Sequence, residues 1–349
     1  MKDAAMAQAK PINLALQGGG AHGAFTWGVL DRLLEAPEIE IAAITGTSAG
    51  ALNGAAVKAG MVRGGRDAAR ENLEWLWEQV GAITTPALAP WLDAIAPVAV
   101  SRAIEASLPF AFGDGIARLV SPYDSGPFYI NPLRRIVERF HFDEVCAEAG
   151  PAFHICATNV RSGKIRVFSG EEISADAILA SACLPTLFRA VEIPHPETGE
   201  MEAYWDGGYT GNPALFPLFE GDLPGDILVV NINPLERADL PVSAREIQNR
   251  VNEISFNSSL LRELRAIDFV QRLLDDGTLP HGAMKRLRIH MIADDALMGQ
   301  LSVATKLVAT PQILHQLRAA GRAAADRFLD AHLGAIGIES SVDLRAMFG

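Results

Sequence analysis

A short apolar run, Ile39 to Ile44, ends in the pentapeptide GTSAG, Gly46 to Gly50, which in turn opens a helix-prone stretch from Ala49 to Ala59. Few chain geometries satisfy that order. The run reads as a buried strand and the stretch after it as a helix, so Ser48 falls on a sharp strand-to-helix turn. Gly46 and Gly50 remove the side chains that would block the turn and the approach to a neighbouring strand. The start of the helix sets unpaired backbone N–H groups and the positive end of its dipole beside the serine. A hydroxyl held there is an exposed nucleophile; the bland alternative is a small-residue turn before a helix.

The same strand-turn-helix order occurs once before it. Ile12 to Gln17 reads as a strand, Ala24 to Leu34 as a helix, and GGGAHG, Gly18 to Gly23, lies between them. The string formally matches GxGxxG, whose dinucleotide reading requires an acid about 20 residues on at the carboxyl end of the next strand. Glu38 and Glu40 have the distance but stand at the beginning of that strand. A glycine-rich turn can also aim its N–H groups outward as an anion-binding nest, and beside Ser48 across two adjacent strands such a nest would be an oxyanion hole. A plain tight turn is the third reading.

Further strands are expected at Phe153 to Val160, Lys164 to Phe168, Ile227 to Asn233 and Leu287 to Ile292, with helices at Asn131 to Phe140 and Ala175 to Ala182. This alternation predicts an α/β fold with a mostly parallel sheet covered by helices on both faces. After Pro234, Ile247, Val251, Ile254, Leu261, Leu264 and Ile267 recur at three- and four-residue steps, the pattern of a long amphipathic helix whose apolar side packs on the core. An apolar content of 49% over 349 residues is ample for a sizeable interior.

A net charge of −12 leaves no electrostatic footprint for nucleic acid and gives weak repulsion from an anionic membrane unless a local patch reverses the sign. Cys146, Cys156 and Cys183 are odd in number and show no metal-ligand spacing, so reduced thiols in the cytoplasm are expected and no metal site. The opening MKDAAMAQAK lacks the apolar core of a cleaved signal peptide. Val80 to Phe112 is apolar but broken by prolines and charges, so it is no spanning helix.

A serine nucleophile needs a base. Histidines stand at 22, 141, 154, 195, 281, 290, 315 and 332, none in a setting that singles it out. Asp206 in YWDGG is a sharper candidate, because Gly207 and Gly208 let the chain turn tightly and carry the carboxylate toward another loop; a surface turn is the ordinary use of such a string. At its usual pKa of about 3.9 an aspartate is a poor base for a hydroxyl. Asp206 must then be partly buried, and Tyr204 and Trp205 are the apolar neighbours expected to exclude water.

Taken in order, GGGAHG, GTSAG and DGG resemble the patatin-like phospholipase family, as do ATNVRSGKIRVFSG, SACLP and YWDGGYTGNP; the resemblance runs from Ile12 to Leu218. It implies a three-layer α/β/α sandwich with a mostly parallel central sheet, here with a helical C-terminal extension, and a Ser-Asp dyad without histidine. Carried over by motif, Ser48 is the nucleophile and Asp206 the proton acceptor. Gly18, Gly19, Gly20 and Ala49 form the oxyanion hole, and Gly23, Gly46, Gly50, Gly207 and Gly208 complete the motifs. Many members carry Arg or Lys where His22 stands, and a histidine replaces that charge only when protonated.

The expected activity is hydrolysis of lipid carboxylic esters without a cofactor, with a lipid or ester substrate, transient membrane-surface contact and no nucleic acid. Residues 12–218 form the expected catalytic domain and 219–349 add strands and helices to the same core. Residues 81–125, with Trp91, Phe110 and Phe112, read either as a lid or acyl-binding cap or as an ordinary buried insertion. Two other classes stay open: an α/β-hydrolase esterase with a Ser-His-Asp triad, and a nucleotide-binding protein using the glycine loop.

Overall fold

The computed structural model describes residues 9–84, 121–280, 282–301, 305–306 and 309–348. Among the described residues eight strands form one sheet: β1 (Lys10–Leu16), β2 (Ile39–Thr47), β3 (Ala152–Asn159), β4 (Ile165–Ser169), β5 (Val191–Pro194), β6 (Met201–Asp206), β7 (Asp226–Val230) and β8 (Arg288–Ile292). They run in the order β5-β6-β3-β2-β1-β7-β8, with β4 pairing β3 off this path. The β3, β2, β1, β7 and β8 ladders are parallel, and β4, β5 and β6 add antiparallel partners at one side. The sheet is thus mostly parallel. The short strands β5 and β6 carry no strong apolar run and were not anticipated from the sequence.

Alternation along the central strands shows a sheet buried on both faces. Ile12, Leu14 and Leu16 of β1, with Leu228 and Val230 of β7, join one apolar cluster with α1 (Gly23–Glu35) and the start of α2 (Ala49–Thr84). Ala15, Ile227 and Val229 join a second cluster on the opposite face. The loops and short helices between β2 and β6 include α3 (Arg134–Val137), α4 (Phe142–Val145) and α5 (Ala175–Ser181), and α2 is kinked where Gly65 takes a φ of +77°. Only four residues of the Asn131 to Phe140 stretch are helical; the rest is turn, bend or irregular. Of the candidate lid at 81–125, residues 85–120, Trp91, Phe110 and Phe112 among them, lie outside the described residues.

Further helices among the described residues are α6 (Ala244–Asp275), α7 (Asp295–Gln300), α8 (Pro311–His332) and α9 (Leu344–Phe348). Leu260, Leu264 and Ile267 of α6 cover the second face with Leu344 of α9. The first half of α6 departs from the sequence expectation. Ile247, Val251 and Ile254 are about half exposed, while Glu253 and Asn257, one step round the helix, are buried. The reason is local: that turn of the helix faces the polar end of the sheet, where Asn257 accepts from Gln17 at 3.1 Å and Glu253 holds Arg237 and Arg250. The apolar stripe therefore changes from outside to inside along one helix.

Helix α8 is capped by Thr310 with Pro311 in its first turn, and it lies along α1 on the first face. Between them Asp31, with a side chain 2% exposed, accepts from Arg318 at 3.0 Å and Arg322 at 2.6 Å, and from Arg70 of α2 at 2.8 Å. Burial alone would raise the Asp31 pKa; the three guanidinium groups more than reverse it and hold the carboxyl below its usual range. Asp31→Ala is expected to lower unfolding free energy by about 2–4 kcal/mol in urea titrations, below the full loss for a wholly buried pair because the arginines are partly solvated.

Candidate active site

Ser48 follows the last residue of β2 and adopts φ +54°, the only positive φ outside glycine among the described residues. A β-carbon in that region is crowded, so the turn at Ser48 is strained. The turn is held from both sides. The Ser48 N–H donates to Ser181 Oγ at 2.9 Å, and Ser181 Oγ donates to the Cys156 carbonyl of β3 at 2.6 Å. Gly50 brings α2 against β1, since a β-carbon there would stand 2.1 Å from the Leu16 carbonyl oxygen; Gly46 faces Gly50, and Gly23 opens α1 against Ala49.

Asp206 reaches the same place through the register of β3. Cys156 pairs with Thr47 and the next residue, Ala157, pairs with Asp206, so the ends of β2 and β6 meet on adjacent rungs of one strand. Its backbone is pinned by an N–H to the Cys183 carbonyl at 2.8 Å and by Thr158 Oγ1 to its own carbonyl at 2.8 Å. Gly207 and Gly208 turn the chain immediately after it, and Oδ1 accepts from the Gly208 N–H at 2.7 Å. Burial pushes the carboxyl up to about 7, against smaller lowering by that N–H and by the Ser48 side chain. Oδ2 is buried without a hydrogen-bond partner. The serine thus lies close enough to favour the carboxylate, yet the two side chains stop short of an aligned hydrogen bond, a spacing common before substrate binds.

What shields Asp206 differs from the expectation. Trp205 is its neighbour along a strand, hence on the opposite face, and is only half-buried. Leu184 and Phe256 of α6 line the cavity with Asp206 instead.

The glycine loop also divides differently. Gly18 donates its N–H to Asn212 Oδ1 at 2.7 Å, so it does not belong to the free donors. Its role is spatial: a β-carbon on Gly18 would come 2.6 Å from Ser48 Cβ. Gly19, Gly20 and Ala49 remain, and their N–H groups meet no acceptor among the described residues. Behind the loop, Gln17 Oε1 accepts from the N–H groups of Ile232 at 2.9 Å and Asn233 at 3.1 Å, while Asn233 Nδ2 donates to the Gly18 carbonyl at 2.8 Å. Glu38 and Glu40 are exposed at the far end of β2 from Ser48.

His22 is 1% exposed, shares a hydrogen bond of 2.8 Å with Thr305, and has its pKa driven well below the ordinary value by burial and then by Lys306. It is a neutral ring and carries no charge to the loop. None of the histidines among the described residues lines the cavities that hold Ser48. Asn212 and Ser181 lie inside the strings YWDGGYTGNP and SACLP, so position alone could have flagged them. Asn233 and Lys306 carry no local sequence signal.

Two cavities meet at Ser48: an apolar one of about 190 Å³ and a more polar one of about 100 Å³. With this geometry in view, the sequence profile that matches the chain is that of the patatin-like phospholipases, over residues 14–219, more than half of its length. The chain belongs to the patatin-like phospholipase family. No curated protein matches it significantly in sequence. Among solved structures it is similar to VipD from Legionella pneumophila, at 15% identity and TM-score 0.41, covering 93% of this chain and 67% of VipD. It is also similar to ExoU from the Pseudomonas aeruginosa type III secretion system, solved in complex with SpcU at 14% identity and TM-score 0.33, covering 93% of this chain and 54% of ExoU. A second ExoU structure gives 17% identity and TM-score 0.34, covering 95% of this chain and 55% of that one. This patatin-like chain therefore spans little more than half the length of ExoU. No helix among its described residues is long and apolar enough to cross a membrane.

Proposed function

We propose that the protein is a lipid acyl hydrolase that cleaves carboxylic esters through a Ser48–Asp206 dyad, with Gly19, Gly20 and Ala49 as the oxyanion donors. The observation that carries this reading is the buried Asp206: one carboxylate oxygen lacks a partner, its pKa is about 7, and Ser48 lines the same cavity. A carboxyl poised near neutrality is matched to the work of a general base. The apolar cavity, lined by Leu52, Trp77, Val80, Leu187 and Phe188, suits an acyl chain.

In the proposed cycle Ser48 Oγ bonds to the ester carbonyl carbon and its proton passes to Asp206 Oδ2. The carbonyl oxygen becomes an oxyanion facing the three N–H groups and the positive end of α2. Collapse breaks the carbon–oxygen bond, and Asp206 returns the proton to the leaving alcohol. Water then attacks the acyl-serine, gives a proton to Asp206, and the acid departs as Ser48 recovers its hydrogen. No metal or redox partner is needed for the balance.

A fluorophosphonate probe tests this reading: it is expected to label wild-type protein on Ser48 and to leave Ser48→Ala untouched, and labelling elsewhere would reject the assignment. The pH profile is a second test. Cys183 and Tyr209 beside Asp206 are pushed by burial up to about 12, so they stay neutral across the working range. Asp206 acts only when ionised, so kcat/KM for a soluble ester is expected to rise tenfold per pH unit below about 7 and to level above it. A flat profile from pH 5 to 8 would count against an aspartate base.

A further inference from the structure

The ester-cleaving groups leave one cation of the cavity without a task. Lys306 is half-buried and lines both the apolar and the polar cavity, as do Gly20, Ser48 and Leu184. An ester bond at Ser48 therefore sits on a partition. With the acyl chain in the apolar cavity, as proposed above, the alcohol side is the cavity that presents Asn233, Asn252 and Lys306.

Lys306 Nζ donates to Asn233 Oδ1 at 2.9 Å. Asn233 cannot turn away, because its amide nitrogen donates to Gln17 Oε1 at 3.1 Å and to the Gly18 carbonyl at 2.8 Å. An ammonium has three donors, and among the described residues Lys306 has no carboxylate partner. Glu253, whose field it feels, is taken by Arg237 at 2.6 Å and by Arg250 at 3.3 Å. Burial lowers the Lys306 pKa to about 8, which still leaves a cation at pH 7. A charge beside a substrate cavity with donors to spare is short of an anion.

We propose that Lys306 binds the phosphate of a glycerophospholipid on the alcohol side of the scissile ester and thereby selects phospholipids over neutral esters. The oxyanion is a weaker assignment for it, since three backbone N–H groups already face that position and Lys306 is tied to Asn233 on the alcohol side. The proposal rests on Ser48 and Asp206 being the hydrolytic pair.

The test compares dihexanoyl phosphatidylcholine with p-nitrophenyl hexanoate, which shares the acyl chain and lacks the phosphate. Lys306→Met is expected to lower the ratio of kcat/KM for phospholipid over neutral ester by about 10–100-fold, the worth of a charge-assisted hydrogen bond, and Lys306→Arg to restore most of it. An unchanged ratio, with either no loss or equal losses on both substrates, would overturn the assignment.

A binding measurement keeps this separate from the chemistry. Titration calorimetry of Ser48→Ala protein with sn-glycero-3-phosphocholine is expected to show binding that Lys306→Met weakens at least about tenfold. Equal binding with and without the lysine would overturn it, as would orthophosphate binding as tightly as the diester, which would make this a free-phosphate site. If wild-type protein turns over neither ester, the hydrolase reading fails, and the calorimetry alone then decides whether Lys306 holds phosphate.

Discussion

Ser48→Ala is expected to reduce ester hydrolysis by about 10⁴-fold or more, measured as kcat under saturating short-chain ester. The size follows from what is lost. In the proposed cycle no acyl-enzyme forms without Oγ, and the proposed oxyanion donors can then act only on direct attack by water. The backbone strain at this residue provides a companion measurement. A φ of +54° is unfavourable for serine and alanine alike and easy for glycine. Ser48→Gly should be as inactive as Ser48→Ala, yet unfold at higher urea by about 1 kcal/mol relative to it. Full activity in either variant would place the nucleophile elsewhere.

Asp206→Asn is expected to lower kcat/KM by about 10²–10⁴-fold, the usual contribution of a positioned base, and at the same time to stabilise the protein above pH 7. The sign follows from proton linkage. In the unfolded chain this carboxyl ionises near its ordinary value of about 3.9; in the folded protein it holds its proton up to about 7. Between those values the unfolded state binds fewer protons, so stability falls as pH rises, and the penalty is complete above 7. Asparagine carries no charge to desolvate and keeps an oxygen for the Gly208 N–H. The gain is at most about 4 kcal/mol at pH 8 and vanishes below pH 4. Thermal melts of both proteins at pH 4 and pH 8 check it. A variant less stable than wild type at pH 8 would mean that the charged carboxylate supports the fold rather than the reaction.

Why some of this was legible beforehand and some not is a matter of range. GTSAG and GGGAHG announce their turns because glycine spacing, strand and helix lie within a dozen residues of one another. Asp206 could be picked out because DGG is a local turn. The Gly18 N–H could not be seen to be engaged, since Asn212 lies 194 positions away. Trp205 was a reasonable shield by adjacency, but strand alternation turns it aside, and Phe256 does the work from a helix 50 residues later. The phase of α6 misled for a related reason. Glu253 and Asn257 are polar yet buried, because they meet polar partners at the end of the sheet, and a pattern that equates apolar with inward reads that turn backwards. Lys306 acquires meaning only beside Asn233, which ends a different segment.

Because neighbouring positions on β3 position both Thr47 and Asp206, the distance between serine and acid is set by a single peptide step, whatever the length of chain between them. Loop variants that lengthen the turn at 195–200 should therefore be harmless to chemistry. Deleting one residue at that step of β3, Cys156 or Ala157, would shift the rung of the acid against that of the serine while leaving GGGAHG, GTSAG and DGG in place. For engineers and annotators alike, the vernier to inspect is a strand that carries neither the serine nor the acid.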